Sequence, residues 1–396
     1  MNGTATAALP ALPTKRDEAW RYAPHAELAR LTFGPADAAV DVPAEIEAQI
    51  PDLDGHRVVV VNGAVDTGRS TLPSVPGLAI TRLSDADPDA VAAHFPADGE
   101  PADAFVAYNT RFGRDGVVVQ VDAGHTIEAP IHLVDIVIPG PEHNTTSTGV
   151  VVTLGAESRA TVVETRLGGG SAFGAANARS TITIGDGATL DHIVVQDAPD
   201  TQISLTRIDV TQGAASTYRG RSFNLGATYG RVASTVRLAG EGAHADLSGL
   251  YFGFGDQSLD QQVDIVHAAE NCTSRQSYRG VLDDASTGIF SGGIDVRPGA
   301  NGTDAEQENH NLILSDRAEA NTQPRLEILA DDVACKHGAT VGQLDETALY
   351  YMRSRGIREA DARRLLINGF ADQVVDDVDY DTLRAWIIDR LGHADA

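Results

Sequence analysis

The chain has 396 residues, enough at ~150 residues per domain for two or three domains and a sizeable core. Thirty Lys and Arg against 56 Asp and Glu leave a formal net charge of −26, and lysine occurs only at Lys15 and Lys336. A field of that sign repels phosphate backbones and anionic lipid heads, which excludes nucleic-acid binding and membrane-surface roles.

The preference for Asp over Glu and Arg over Lys reads as a salt-adapted or GC-rich source rather than as a functional signal. Apolar runs such as Val58–Val61 fall far short of the ~20 residues of a membrane span. Residues 1–13 carry no positive charge and no apolar segment, so no secretory signal is expected. Two cysteines cannot build a disulfide framework. The expectation is a reduced, cytoplasmic chain with free thiols, in which the sequons at Asn144, Asn271 and Asn301 are chance matches.

In chain order, a polar opening around Lys15, Glu18 and Trp20-Arg21-Tyr22 leads into an Ala/Glu-rich stretch ending near Ile50. The β-branched run Arg57–Val61 stops at Asn62-Gly63, a type I′ hairpin signal. A short Ala-rich helix is expected over Pro88–Phe95. From Phe105 to about Gly342 short β-rich runs recur: Val117–Val121, Ile131–Ile138, Val150–Leu154, Thr161–Thr165, Ser180–Ile184, Ile193–Gln196 and Ile203–Val210. The intervening turns centre near Ala156, Asp186, Gly213, Glu241 and Ala269, 30, 27, 28 and 28 residues apart. Further on they fall near Ala285, Ala300 and Ala318, at about half that step. A repeat of this length without helical periodicity predicts a mainly β chain whose core is a parallel β-helix of stacked rungs. A β-sandwich or jelly roll is the competing fold, and the missing six-residue repeat argues against the left-handed hexapeptide type.

After Gly342 the texture turns helical. Asp345 is an expected N-cap for a helix over Thr347–Arg355 that ends at Gly356. A second helix is expected over Arg358–Asn368, closed by Gly369. A third runs over Tyr380–Leu391 with Leu383, Trp386, Ile387 and Leu391 on one face. That stripe either packs on the parent domain or docks a partner. The expected organisation is a mixed α/β region over 1–104, a β-helix core over 105–343 and a helical domain over 344–396.

The densest chemistry lies in Asp331–Thr340. Cys335 and His337 are two residues apart, so on a strand both leave the same face. A thiolate and an imidazole there suit iron or zinc, but two ligands do not close a site. Lys336 points the other way, with a charge expected to lower the thiol pKa slightly. The alternative is a buried thiol beside a hydrogen-bonded histidine. Cys272 reads as structural. The remaining histidines form no H-E-x-x-H arrangement, and neither Gly168-Gly169-Gly170 nor Gly253-Phe254-Gly255 precedes a P-loop lysine, so no ATP site is expected on this chain. Asp283-Asp284 is a poor catalytic pair, because adjacent strand residues face opposite sides. Gln307, Asn309 and Asn311 alternate along one face, as in a hydrogen-bonded stack between rungs.

Phe290–Gln373 resembles the SufB/SufD family of iron–sulfur cluster assembly proteins. The resemblance rests on Phe290-Ser291-Gly292, Thr303–Gln307, Asn311–Ser315, Pro324–Ile328, Asp331-Asp332-Val333, Cys335–Gly342 and Ser354–Ile357. Upstream, Lys15, Glu18, Trp20-Arg21-Tyr22, Val60–Gly63, Asn109 and Asp115-Gly116 also fit. The length, the Trp-Arg-Tyr opening and Gly338 after His337 favour the SufD branch.

The resemblance implies a right-handed parallel β-helix flanked by N-terminal and C-terminal helical regions. It implies a scaffold subunit without its own catalytic cycle. The partners implied are a SufB-like paralogue, joined through the β-helices, and a SufC ABC-type ATPase on the C-terminal helices. A homodimer is possible in isolation. The implied ATPase dock comprises Leu349, Tyr350, Arg355, Ile357, Leu366, Phe370, Leu383, Trp386 and Ile387. His337 first and Cys335 second are implied to hold iron or a nascent cluster transiently at the paralogue seam. The competing functions are a β-helix enzyme acting on glycans and a structural β-helix homo-oligomer.

Overall fold

The computed structural model describes residues 9–35, 40–72, 74–86, 103–113 and 115–391. The helix expected over Pro88–Phe95 lies outside the described residues.

The early strands are β1 (His56–Val61), β2 (Ala64–Asp66), β3 (Leu78–Arg82), β4 (Gly116–Val121) and β5 (Ile131–Val137). Next come β6 (Thr145–Leu154), β7 (Arg159–Gly168), β8 (Gly174–Ile184), β9 (Thr189–Asp197), β10 (Gln202–Gln212), β11 (Thr217–Asn224) and β12 (Tyr229–Leu238). The last are β13 (His244–Gly253), β14 (Ser258–His267), β15 (Thr273–Leu282), β16 (Thr287–Val296), β17 (Thr303–Ile313), β18 (Glu319–Ile328) and β19 (Val333–Gly342). They form two sheets: a ten-stranded one ordered β19-β17-β15-β13-β11-β9-β7-β5-β1-β2, and a nine-stranded one ordered β18-β16-β14-β12-β10-β8-β6-β4-β3. From β4 onward each strand pairs in parallel with the strand two places later. One even and one odd strand make a rung, and the molecule is a parallel β-solenoid.

The repeat seen in the sequence is this rung. Thr189, Thr217, His244 and Thr273 stand side by side in one sheet. A rung has two corners, so the closer turns near Ala285, Ala300 and Ala318 are alternate corners of the last rungs. The ten-stranded sheet reaches upstream of residue 105, because β1 pairs in parallel with β5. Its hairpin to β2 has positive φ at both Asn62 (46°) and Gly63 (77°), as a type I′ turn requires.

Period-two alternation sends Val, Ile and Leu inward to a continuous core that runs from Val58 and Val119 to Leu282 and Phe290. The outer faces are covered too. Trp20, Leu28, Leu31 and Phe105 pack on Ala175, Ile203, Leu205 and Tyr229 of the nine-stranded sheet. Arg231 lies under the Trp20 ring at 4.0 Å, donates to the Ala19 carbonyl at 2.8 Å and forms a buried ion pair with Asp260.

Three helices follow β19. Glu346–Ser354 is capped by Asp345, whose carboxylate accepts from the backbone N–H groups of Thr347 and Ala348, and Gly356 follows it at φ 88°. The second helix runs through the expected stop, from Glu359 to Val375. Gly369 is an interior helical residue with no positive φ, because Phe370, Ala371, Val374 and Val375 continue the apolar face beyond it. The third spans Asp381–Leu391. Ile367, Ala371, Val374, Leu383, Ile387 and Leu391 are buried against Val163, Ile193, Phe223, Leu250 and Val281 on the outer face of the ten-stranded sheet. Among the described residues, no helix is long and apolar enough to cross a membrane.

Candidate functional site

β19 is the last strand of its sheet. It pairs with β17 on one side, Cys335 opposite Ala305 and His337 opposite Gln307, and no strand among the described residues pairs with its other edge. Ala305, Gln307 and Asn309 point into the core and are fully buried. The side chains in register with them on β19 point the same way, but no further rung covers them. His337 is exposed and Cys335 half-buried, beside Ile294, Val296, Ala300 and Leu326. The two therefore leave one face of an open strand, as their spacing predicts.

Lys336 leaves the opposite face and pairs with Glu306 at 2.6 Å. It does not lower the thiol pKa. Burial pushes Cys335 above its ordinary value and the nearby Asp304 adds to this, against a smaller opposing effect of the hydrogen bond from the Ala305 backbone. The thiol is thus protonated at neutral pH and becomes a ligand only when a metal displaces its proton. Among the described residues, no three His, Cys, Asp or Glu side chains converge as a metal site. What this chain presents is a thiol and an imidazole on one face of an open strand.

The other candidates resolve into structure. Cys272 is buried at the corner before β15, with its Sγ 3.3 Å from the Gly240 carbonyl and 3.5 Å from that of Glu270, and burial raises its pKa. Gln307 donates to Gln276 at 2.8 Å, Asn309 to the Tyr251 hydroxyl at 3.0 Å and Asn311 to Asn309 at 2.7 Å, which is the expected inter-rung stack. Asp283 and Asp284 form a corner: Asp284 has φ 53° and accepts from the Gly255 N–H at 3.0 Å, while Asp283 accepts from the Asp284 N–H at 2.8 Å. They shape a turn and do not converge on a groove.

The nine residues of the implied dock separate. Leu349, Leu383 and Ile387 are buried, the last two within the contact that fixes the helices to the solenoid. They face inward and present nothing to a partner. Trp386 and Phe370 pack half-buried on the same contact, with Phe370 beneath the Arg279 guanidinium at 4.8 Å. Ile357 and Leu366 are half-buried, and Tyr350 and Arg355 are exposed. Two further exposed apolar residues on these helices were absent from the expectation, Tyr351 (58% exposed) and Leu365 (52%), beside Tyr350 at 73%. Their signal was available, since Tyr351 follows Tyr350 on a helix whose buried position is Leu349.

A second group passed unnoticed. Asp135, Glu164, Arg166 and His192 are all buried inside the solenoid. Arg166 pairs with Glu164 and, at 3.3 Å, with Asp135. His192 Nε2 lies 2.9 Å from Glu164, and its Nδ1 lies 2.9 Å from the Tyr218 hydroxyl. Ser180 donates to Glu164 at 2.9 Å. Burial alone would raise the Glu164 pKa, but Arg166, His192 and Ser180 outweigh it and hold the carboxyl at about 2. The sequence signal was charge at inward positions of otherwise apolar strands.

Residues 137–370 match the family model described as SUF system FeS cluster assembly, SufBD core domain, and residues 5–133 match the SufBD protein N-terminal region. The chain belongs to the SufBD family. Membership makes it a subunit of SUF-system iron–sulfur cluster assembly. The iron–sulfur cluster assembly protein SufD of Escherichia coli is 29% identical over 96% of this chain and 89% of its own length. A SufBD family protein of Synechocystis sp. is 28% identical over 93% of this chain and 84% of that protein. SufD of Bacillus subtilis is 34% identical over a shorter stretch, 39% of this chain and 36% of its own length. The SufBD core match covers both Cys335 and His337 and ends inside the Glu359–Val375 helix.

Proposed function

We propose that this chain is the SufD-type scaffold subunit of a cytoplasmic Suf assembly complex and has no catalytic cycle of its own. It pairs through its last rung with a SufB-like paralogue and carries a SufC-type ATPase on its C-terminal helices. His337, with Cys335 second, holds one side of a nascent iron–sulfur cluster that is shared across the seam and passed on. The cluster is cargo, built and released.

The observation that carries this reading is the open strand β19. Two soft or borderline ligands share the face of an unpaired edge, and the side chains needed to complete a coordination shell must come from a chain lying against that edge. The E. coli and B. subtilis relatives carry the name SufD, which supports the SufD-type assignment. Tyr350, Tyr351, Arg355 and Leu365 are the outward residues offered to the ATPase, with Ile357 and Leu366 at their border. ATP enters through that partner. The work on this chain is then conformational: the helices are joined to the sheet by a continuous apolar contact, so a pull on them reaches the rungs that lead to β19.

The test is anaerobic co-expression with the paralogue and the ATPase from the same host, followed by iron and sulfide analysis of the purified complex. His337→Ala is expected to lower cluster content at least fivefold while the complex stays assembled, because truncating one exposed side chain leaves the backbone edge of β19 intact. Cys335→Ser is expected to lower it less. Unchanged iron and sulfide in His337→Ala would remove the half-site from the mechanism. Tyr350→Asp combined with Leu365→Asp is expected to release the ATPase without lowering the melting temperature.

A further inference from the structure

The outer face of the ten-stranded sheet carries a row of charges that alternates in sign from strand to strand. Asp191 on β9 stands opposite Arg219 on β11, which stands opposite Asp246 on β13. Asp246 is in register with Arg275 on β15, Arg275 with Glu306 on β17, and Glu306 with Lys336 on β19. Three of these five register pairs are in contact, Arg219–Asp191 at 3.0 Å, Arg275–Glu306 at 3.7 Å and Lys336–Glu306 at 2.6 Å, while Asp246 pairs with Arg221 at 2.9 Å and Arg275 also with Asp304 at 2.9 Å. Opposite charges facing each other across neighbouring strands favour the pairing, and like charges oppose it. The row stops at Lys336 only because the sheet stops there. Lys336 lies on the open edge, between Cys335 and His337, and its ammonium group has a carboxylate on one side alone.

We propose that Lys336 selects the strand that pairs with β19: the partner chain places an Asp or Glu directly across from it, so that the charge alternation continues over the seam and sets the register in which Cys335 and His337 meet the partner's ligands. This rests on the pairing proposed above and names its determinant. The partner is a different chain rather than a second copy, because β19 contains no Asp or Glu. Two β19 strands paired along their whole length would leave Lys336 with no carboxylate opposite. A one-residue slip of the partner strand would turn that strand's own ligands to the face opposite Cys335 and His337, so a register device is what a half-site on an edge strand requires.

The chain's composition makes the test clean, since Lys15 is its only other lysine. The complex with the SufB-like paralogue is treated with a carbodiimide, which condenses a lysine amine with a touching carboxylate to form an amide with loss of water, and linked peptides are mapped by mass spectrometry. The wild type and Glu306→Gln are compared, the latter to remove the intrachain competitor. The expected result is a link from Lys336 to one carboxylate in an end strand of the paralogue, stronger in Glu306→Gln. In parallel, Lys336→Arg is expected to bind the paralogue within about twofold of wild type, Lys336→Met about threefold more weakly and Lys336→Glu about tenfold more weakly. Melting temperatures of the isolated variants are measured alongside. A stable complex with no interchain link and equal affinities would overturn the proposal and leave the pairing intact. A link from Lys336 to Asp331 or Asp332 of a second copy would overturn it in favour of self-pairing. Failure of the wild type to bind the paralogue at all would overturn the pairing and this inference with it.

Discussion

Glu164 is ionised although fully buried, and Arg166, His192 and Ser180 make that state tolerable. Its carboxyl is held at about 2, below its ordinary 4.5, so it binds its proton later in the folded than in the unfolded chain. The sign follows from that order. The stabilisation is fully present above about pH 4.5 and is lost as pH falls toward 2. Urea unfolding of Glu164→Gln should therefore fall short of wild type at pH 7 by ~3 kcal/mol, the cost of breaking one side of a buried pair, and the gap should narrow below about pH 4.5 and close only near pH 2. A constant gap would mean the network acts through packing alone. The other buried pair makes a different prediction. Arg231→Met leaves Asp260 and Tyr229 without their cation, and breaking one side of such a pair costs about 3–5 kcal/mol. Trp20 loses its stacking partner as well, and its fluorescence should shift to longer wavelength before global unfolding. Residue by residue, the short-range chemistry was legible: Cys335 and His337 on one face, the Asp345 cap, the Gln307–Asn311 stack. The Glu164 group was not, because Asp135 lies 31 residues from Arg166 and His192 28 residues from Glu164, and they meet only when rungs stack.

At the level of elements, the corners carry an unusual load. Glu157, Gly187, Ala215, Gly242, Asn271 and Gly302 all have positive φ, and each donates its N–H to a carbonyl in the corner of the following rung. The left-handed conformation costs a residue with a Cβ ~1–2 kcal/mol. Ala215→Gly should therefore raise the unfolding free energy by about 0.5–1 kcal/mol, after the greater freedom of glycine in the unfolded chain is subtracted. Thermal and urea unfolding check it. The C-terminal helices make the opposite kind of prediction. Leu383→Ala opens a cavity at a fully buried site and should cost ~2–5 kcal/mol. Loss of ATPase binding in that variant would report detachment of the helix, so the outward residues Tyr350 and Leu365 are the informative ones. Gly369 misled the sequence reading because a glycine after an apolar run is a common stop signal. Here the buried positions Ala371, Val374 and Val375 lie beyond it, and packing against the sheet outweighs the local preference.

For the whole molecule, the rung was visible as a turn spacing near 28 residues, but the strand partners were not. Many parallel neighbours in the solenoid are apolar residues that look alike from rung to rung, and nothing in Val117 or Val119 says which Val it will face. The charged row from Asp191 to Lys336 is the exception, since its alternation of sign is readable once the spacing is known. The covering of the outer face also lay beyond the sequence. Ending the chain at residue 343 should bare Phe223, Leu250, Val281 and Leu312, so the shortened protein should bind a fluorescent apolar dye strongly where the intact one does not. Retained solubility without dye binding would show that the solenoid does not need its helical cover.

The position of β19 also governs the order of events during synthesis. Rungs are laid down from β4 toward β19 as the chain emerges, and domains generally begin to fold from the N-terminal side. The strand that carries Cys335, Lys336 and His337 leaves the ribosome after every rung beneath it, and just ahead of the helices that turn back to cover β9, β11, β13 and β15. Until then each newly emerged strand is itself a bare edge, but only briefly, because the next turn of the coil covers it. β19 is the edge that no later turn covers. The nascent chain thus exposes Cys335, Lys336 and His337 only when the scaffold that aligns them is already built.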